Sequence, residues 1–224
     1  MERDIKFAII GGSGFYNLDE GTLLDSIEIE TPWGAPSDFI NIIELYDKKV
    51  AFLSRHGQGH RYTPSEVPYQ ANIAALKYLG VEQIFSFSAM GSLKEKLKPT
   101  DFVLVDQVID KTKIRPATFF GDGLVGHIAF ADPFCPTNPD LIKKSAQELG
   151  IALHTHETAV CMEGPAFSTR AESHLHRSWG AGVINMTVLP EAKLAREAGI
   201  CYNVMCMVTD YDCWKEDEEA VTTE

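Results

Sequence analysis

Three consecutive segments decide the fold: Val183-Ile184-Asn185-Met186, then Pro190 to Ala198 closed by Gly199, then Ile200 to Val208. The first is a short apolar run, the pattern of a buried strand. The second begins with proline and is followed by glycine, the punctuation of a helix start and stop. The third is apolar again and reads as a strand. The same alternation continues outward in both directions. Thr158–Met162 reads as a strand and Thr169–Trp179 as a helix stopped by Gly180. Asn138–Leu149 reads as a helix with Asn138 as N-cap, Pro139 in its first turn and Gly150 behind it. Nearer the N-terminus, Gln83–Ala89 and Phe102–Val105 are expected strands, and Pro68–Leu79 an expected helix. Phe39–Leu45 and Val50–Ser54 are strands around an Asp47-Lys48-Lys49 turn, and Lys6–Ile10 is a strand running into Gly11-Gly12-Ser13-Gly14. Strands alternating with helices predict an α/β domain with a largely parallel or mixed central sheet. The sequence contains no internal repeat or linker, so one domain spans residues 1–224.

Composition narrows the function classes. Of 224 residues, 45% are hydrophobic and 23% charged, the balance of an ordinary globular chain. The formal net charge of −12 disfavours nucleic acid and anionic membranes as partners. Part of the acid lies in Lys215-Glu216-Asp217-Glu218-Glu219. No apolar run is long enough to span a bilayer, and the charged start Met1-Glu2-Arg3-Asp4 is unlike a secretory signal. Cys135, Cys161, Cys201, Cys206 and Cys213 form no CxxC pair and are expected to be reduced thiols in a cytoplasmic protein.

In α/β sheets ligands gather where strands end. Gly11-Gly12-Ser13-Gly14 is either a plain tight turn or an anion nest of backbone N–H groups with the Ser13 hydroxyl added. Arg55-His56 is either a surface ion-pairing group or a set of phosphate donors, the arginine offering its planar fork. Ser88-Ala89-Met90-Gly91-Ser92 again offers a hydroxyl and small residues. Together the three strand ends point to a bound oxyanion. Thr209-Asp210-Tyr211-Asp212 closes the last strand with two carboxylates. They form an Asx-type turn, a metal pair, or readers of a base edge that share a proton with a ring nitrogen and accept from an exocyclic amine. Phe167 is a core residue or a stacking wall, and Ser168 or Thr169 caps the helix that follows. His174 and His176 lie two residues apart, on different helix faces, and read as surface or packing residues.

In order and spacing, these segments resemble the trimeric purine nucleoside phosphorylase family, and within it the branch acting on 5′-methylthioadenosine. The resemblance runs from Lys6 to about Val221. It rests on Ile9-Ile10-Gly11-Gly12-Ser13-Gly14, Arg55-His56-Gly57, Tyr69-Gln70-Ala71-Asn72, Glu163-Gly164-Pro165-x-Phe167, Val183-Ile184-Asn185-Met186-Thr187 and Thr209-Asp210-Tyr211-Asp212-Cys213-Trp214. It implies the nucleoside phosphorylase fold: a single domain with a mixed, partly barrel-like central sheet flanked by helices. It also implies a pentosyltransferase of purine and methionine salvage, with no metal or organic cofactor and inorganic phosphate as co-substrate.

By the same resemblance, Ser13, Arg55, His56, Ser88, the Ala89 backbone and Thr187 bind phosphate. Met186 meets the ribose, Phe167 stacks on the base, and Gly91, Ser168 and Ile184 line the nucleoside site. Asp210 and Asp212 read the purine and act in catalysis, and His127 reaches the 5′ end of a nucleoside held by a neighbouring subunit. A homo-oligomer, a trimer or dimer of trimers, is therefore implied. Ser168 stands where 6-oxopurine enzymes carry Glu, and Asp210 where they carry Asn. An Asp carboxylate accepts from an adenine amine, so a 6-aminopurine is expected. The implied reaction is phosphorolysis, with a protonated Asp210 stabilising the leaving purine. By the same resemblance, the family's C-terminal lid and helix are expected to fall outside residues 1–224. The alternatives are a phosphorylase of broader or 6-oxopurine specificity, a hydrolytic nucleosidase, a dinucleotide-dependent oxidoreductase built on Gly11–Gly14, and a truncated, non-catalytic purine-binding form.

Overall fold

A computed structural model describes residues 5–216, apart from 17 and 19. The acidic residues beyond Glu216, the charged start and the end of the resemblance at Val221 lie outside the described residues. In chain order the elements are β1 (Phe7–Gly11), β2 (Thr22–Ile27), β3 (Ile40–Leu45), β4 (Lys48–Ser54), α1 (Tyr69–Tyr78), β5 (Gln83–Ser92) and β6 (Phe102–Lys111). They continue with α2 (Pro139–Glu148), β7 (Leu153–Met162), α3 (Arg170–Ser178), β8 (Val183–Asn185), α4 (Val188–Glu197) and β9 (Cys201–Tyr211).

The strands form one 9-stranded mixed sheet in the order β2-β3-β4-β1-β5-β8-β7-β6-β9. Because β9 also pairs with β5, the run β5-β8-β7-β6-β9 closes on itself. This is the expected partly barrel-like sheet. β1 runs parallel to both β4 and β5, and β5 parallel to β9, so the ends of these strands open at one rim. Ile10, Leu53, Ile73, Leu76, Ile84 and Val204 are fully or almost fully buried where α1 and α4 cover the sheet. No helix of the described residues is long and apolar enough to cross a membrane.

Several local readings need correction. The hairpin between β3 and β4 turns on Tyr46 and Asp47, both at positive φ, while Lys48 and Lys49 already belong to β4. Asn138 makes no side-chain cap bond; its amide instead donates to the Asn203 side chain at 3.2 Å, tying α2 to β9. Cys135 and Cys201 are joined in a disulfide, against the expectation of free thiols. Their Cα atoms lie 5.1 Å apart because the segment before α2 crosses the start of β9, a juxtaposition of residues 66 apart in sequence. Cys161, Cys206 and Cys213 are free, the first two buried.

Candidate active site

β5 acts as a ruler for the site. Ser88 and Gly91 lie three residues apart on it, about 10 Å at the rise of a strand. β8 runs antiparallel beside it. Ile184 pairs with Gly91, while the Thr187 hydroxyl lies 3.4 Å from that of Ser88. Met186 falls between these two levels. One level gathers donors for an anion and the other gathers carboxylates, with a sugar-length interval between them.

At the Ser88 level, β1 delivers its glycine turn. A Cβ placed on Gly12 would come within 2.7 Å of both Arg55 Nη1 and the Phe87 carbonyl oxygen, and within 3.3 Å of Ser88 Cα. Only glycine lets the turn settle this closely on β4 and β5. Ser13 follows, exposed on the rim.

Arg55 is 1% exposed, and its fork faces inward. Nε donates to Glu191 Oε2 at 2.8 Å, and Nη2 to Glu191 Oε1 at 3.0 Å and to Ser86 Oγ at 2.5 Å. Nη1 donates to the Phe87 carbonyl at 3.0 Å. Arg55 is thus an ion-pairing group, but a buried and not a surface one: a buried guanidinium needs a buried counter-charge, and the carboxylate on α4 takes the Nε–Nη2 edge. What faces the Gly12 turn is the Nη1 edge. Burial alone would lower the Arg55 pKa, but Glu191 outweighs it and the group stays charged.

His56 is 3% exposed, and its Nδ1–H donates to the Tyr62 carbonyl at 2.9 Å. Its ring stacks on His60, centroids 4.2 Å apart. Burial, then the Arg55 charge, pushes its pKa down to about 4, so the ring is neutral near pH 7.

At the Gly91 level, Asp210 is the β9 partner of Gly91 in register, and Asp212 Cβ lies 3.6 Å from where a Gly91 Cβ would sit. Asp210 Oδ1 accepts from the Thr209 hydroxyl at 2.7 Å. Asp212 is 7% exposed, and its Oδ2 has no hydrogen-bond partner among the described residues. A buried carboxylate is costly unless its charge is met; the His176 ring on α3 feels the Asp212 charge, while the Asp212 Cβ lies beside Gly91. Ser168 reaches this level through its backbone, whose carbonyl accepts from the Cys213 thiol at 3.2 Å. Beside it Phe167 is 68% exposed, on the surface and not in the core. Thr169 is the residue that caps α3, in a capping box with Glu172.

His127 is also exposed, on the segment after β6, and no described contact joins it to the other site residues. His176 is a packing residue: it is 4% exposed and lies against Trp179, with its Nδ1 unpartnered among the described residues.

Two residues were not foreseen. Glu191 had a legible signal, an acid on the same apolar helix face as Leu194 and Ala195. Arg115 had none. It is 7% exposed and donates through Nη1 to the carbonyls of Met186 and Leu189, the latter at 2.8 Å. Through Nη2 it donates to the Glu163 carbonyl, and through Nε to the Glu163 carboxylate at 3.1 Å. It thus clamps Met186 to the turn after β7. Gly164, at φ +71°, leaves room there for the Met186 sulfur, which a Cβ would approach to 2.5 Å.

The family model of the Phosphorylase superfamily matches residues 6–224. A protein of Emericella nidulans named S-methyl-5'-thioadenosine phosphorylase is 54% identical over 98% of this chain, which spans 64% of that relative's length. One of the same name from Schizosaccharomyces pombe is 55% identical over 98% of this chain and 75% of its own. Among solved structures, a methylthioadenosine phosphorylase from an antarctic soil metagenomic library superposes with a TM-score of 0.94. It is 55% identical, over 99% of this chain and 78% of that one.

Proposed function

The chain belongs to the phosphorylase superfamily, and we propose that it cleaves 5′-methylthioadenosine with phosphate to give adenine and 5-methylthioribose 1-phosphate. The observation that carries this reading is the pairing of levels along β5: hydroxyls of Ser88 and Thr187 at one, and Asp210 and Asp212 beside Gly91 at the other. The names of the close relatives support the choice of nucleoside.

In this reading phosphate lies against the Gly12–Ser13 turn, the Ser88 and Thr187 hydroxyls, the Ala89 backbone, His56 and the Nη1 edge of Arg55. The sugar spans the interval over Met186. The purine meets Asp210 and Asp212, with Ile184 and Gly91 beneath it and Phe167 and Ser168 at its side. A phosphate oxygen attacks C1′, the C1′–N bond breaks, and its electron pair leaves with the purine. Asp210 gives its proton to a ring nitrogen, so the base departs neutral. Holding nucleophile and nucleoside on one rigid strand supplies orientation. No metal or organic cofactor enters the reaction. We also place the protein in the cytoplasm and assign it a homo-oligomer, a trimer or dimer of trimers, in which the exposed His127 serves a neighbouring site.

Steady-state rates for methylthioadenosine and inosine, each with and without phosphate, test the reading. Phosphate-dependent turnover favouring methylthioadenosine is expected. Equal or better turnover of inosine would replace it with a 6-oxopurine specificity.

A further inference from the structure

The phosphate level carries a charge problem. Phosphate at about pH 8 is largely a dianion, its second pKa lying at about 7, and the strand end offers it mainly neutral donors: hydroxyls and backbone N–H groups. The Arg55 charge is matched by Glu191 in a bidentate, fully buried pair, and the remaining valences of Glu191 are filled by Ser86 Oγ at 2.9 Å and Tyr202 Oη at 2.7 Å. The neighbouring imidazole does not make up the deficit. A carbonyl oxygen can only accept, so the bond from His56 to the Tyr62 carbonyl fixes the proton on Nδ1. In the neutral ring Nε2 is then a bare lone pair, which repels an unprotonated phosphate oxygen.

We propose that phosphate is bound together with one proton, held between His56 Nε2 and a phosphate oxygen. This deepens the phosphorolysis reading and rests on it. The proton comes from solvent or arrives on a phosphate monoanion; no bond other than N–H or O–H is made or broken. With it in place, the imidazole and phosphate share a charge-assisted hydrogen bond, and the site gains the positive charge that Arg55 gives to Glu191.

The groups around His56 agree with this. Burial, then the Arg55 charge, opposes its protonation in the free protein, while the Tyr62 carbonyl and Glu191 favour it. His60 is itself held below its ordinary value by burial and is hydrogen-bonded to the Tyr16 hydroxyl at 3.0 Å, so the stacked ring brings no competing cation. The free site thus stays unprotonated until the anion arrives.

Calorimetric titration of the 224-residue chain with inorganic phosphate, in two buffers of different protonation enthalpy at about pH 8, counts the protons taken up. Uptake approaching about one proton per phosphate is expected, with affinity weakening up to about tenfold per pH unit on the alkaline side. In His56→Gln the amide donates without a proton, so uptake should fall close to zero and the alkaline slope should flatten. Phosphate binding by the parent with no uptake and no alkaline slope overturns the inference alone. So does a His56→Gln protein that keeps the parent's uptake. A parent chain that binds no phosphate overturns the phosphorolysis reading, and this inference with it.

Discussion

Glu191 holds a guanidinium in a dry interior, where an unmatched charge is far more costly than a matched pair. Glu191→Ala should therefore destabilise the fold by about 3 kcal/mol or more in denaturant unfolding; a loss within the range of ordinary surface substitutions would show that Arg55 finds other partners. His56 gives a pH signature. The unfolded residue takes up its proton near 6.5, whereas the folded ring resists until about 4. Between these values the unfolded chain binds more protons, so stability is full above 6.5 and is lost as pH falls through the window. In phosphate-free buffer the parent's Tm should drop across it by several degrees more than that of His56→Gln, on the order of 2 to 4 °C per kcal/mol; parallel Tm profiles would contradict the buried neutral ring. For Asp210→Asn the amide can no longer supply the proton, and kcat for methylthioadenosine should fall about 100-fold or more while phosphate affinity changes little. Equal turnover by variant and parent would remove Asp210 from the mechanism.

At the scale of elements, strands and helices were legible wherever apolar runs met clear punctuation. α1, α3 and α4 lie within a residue or two of where proline and glycine put them. β5, β6 and β7 extend beyond the apolar runs that announced them, because pairing recruits further residues into the ladder: the added stretches of β6 and β7 each pair with the other strand, and that of β5 with β8 and β9. β2 was missed altogether: Thr22–Ile27 is largely exposed and has no apolar alternation, and only pairing with β3 makes it a strand. The Cys135–Cys201 disulfide escaped notice because spacing says nothing of a crossing between residues distant in sequence. The Thr169 cap supports the turn bearing Phe167 and Ser168. Thr169→Ala should cost about 1 kcal/mol of stability and raise KM for the nucleoside without raising KM for phosphate; equal effects on both would place that turn away from the base.

Over the whole molecule, the site was readable as a set of strand ends but not as a shape. The sequence pattern brought Ser13, Arg55, Ser88 and Asp210 to one rim, since parallel strands end together. Which edge of Arg55 is left free depends on Glu191, and the surroundings of Asp212 depend on how α3 packs against the residues after β9. Neither is written in local pattern. Barrel closure, which sets β9 beside β5, is what places the two carboxylates about 10 Å from the anion level. In the proposed reaction, phosphate held at one level attacks the sugar of a purine nucleoside whose base is held at the other. Incubating the chain with methylthioadenosine and isotopically labelled phosphate tests it most directly. Adenine should appear in step with an equal amount of sugar carrying the label. Adenine released without label in the sugar, or at the same rate when phosphate is left out, would contradict it.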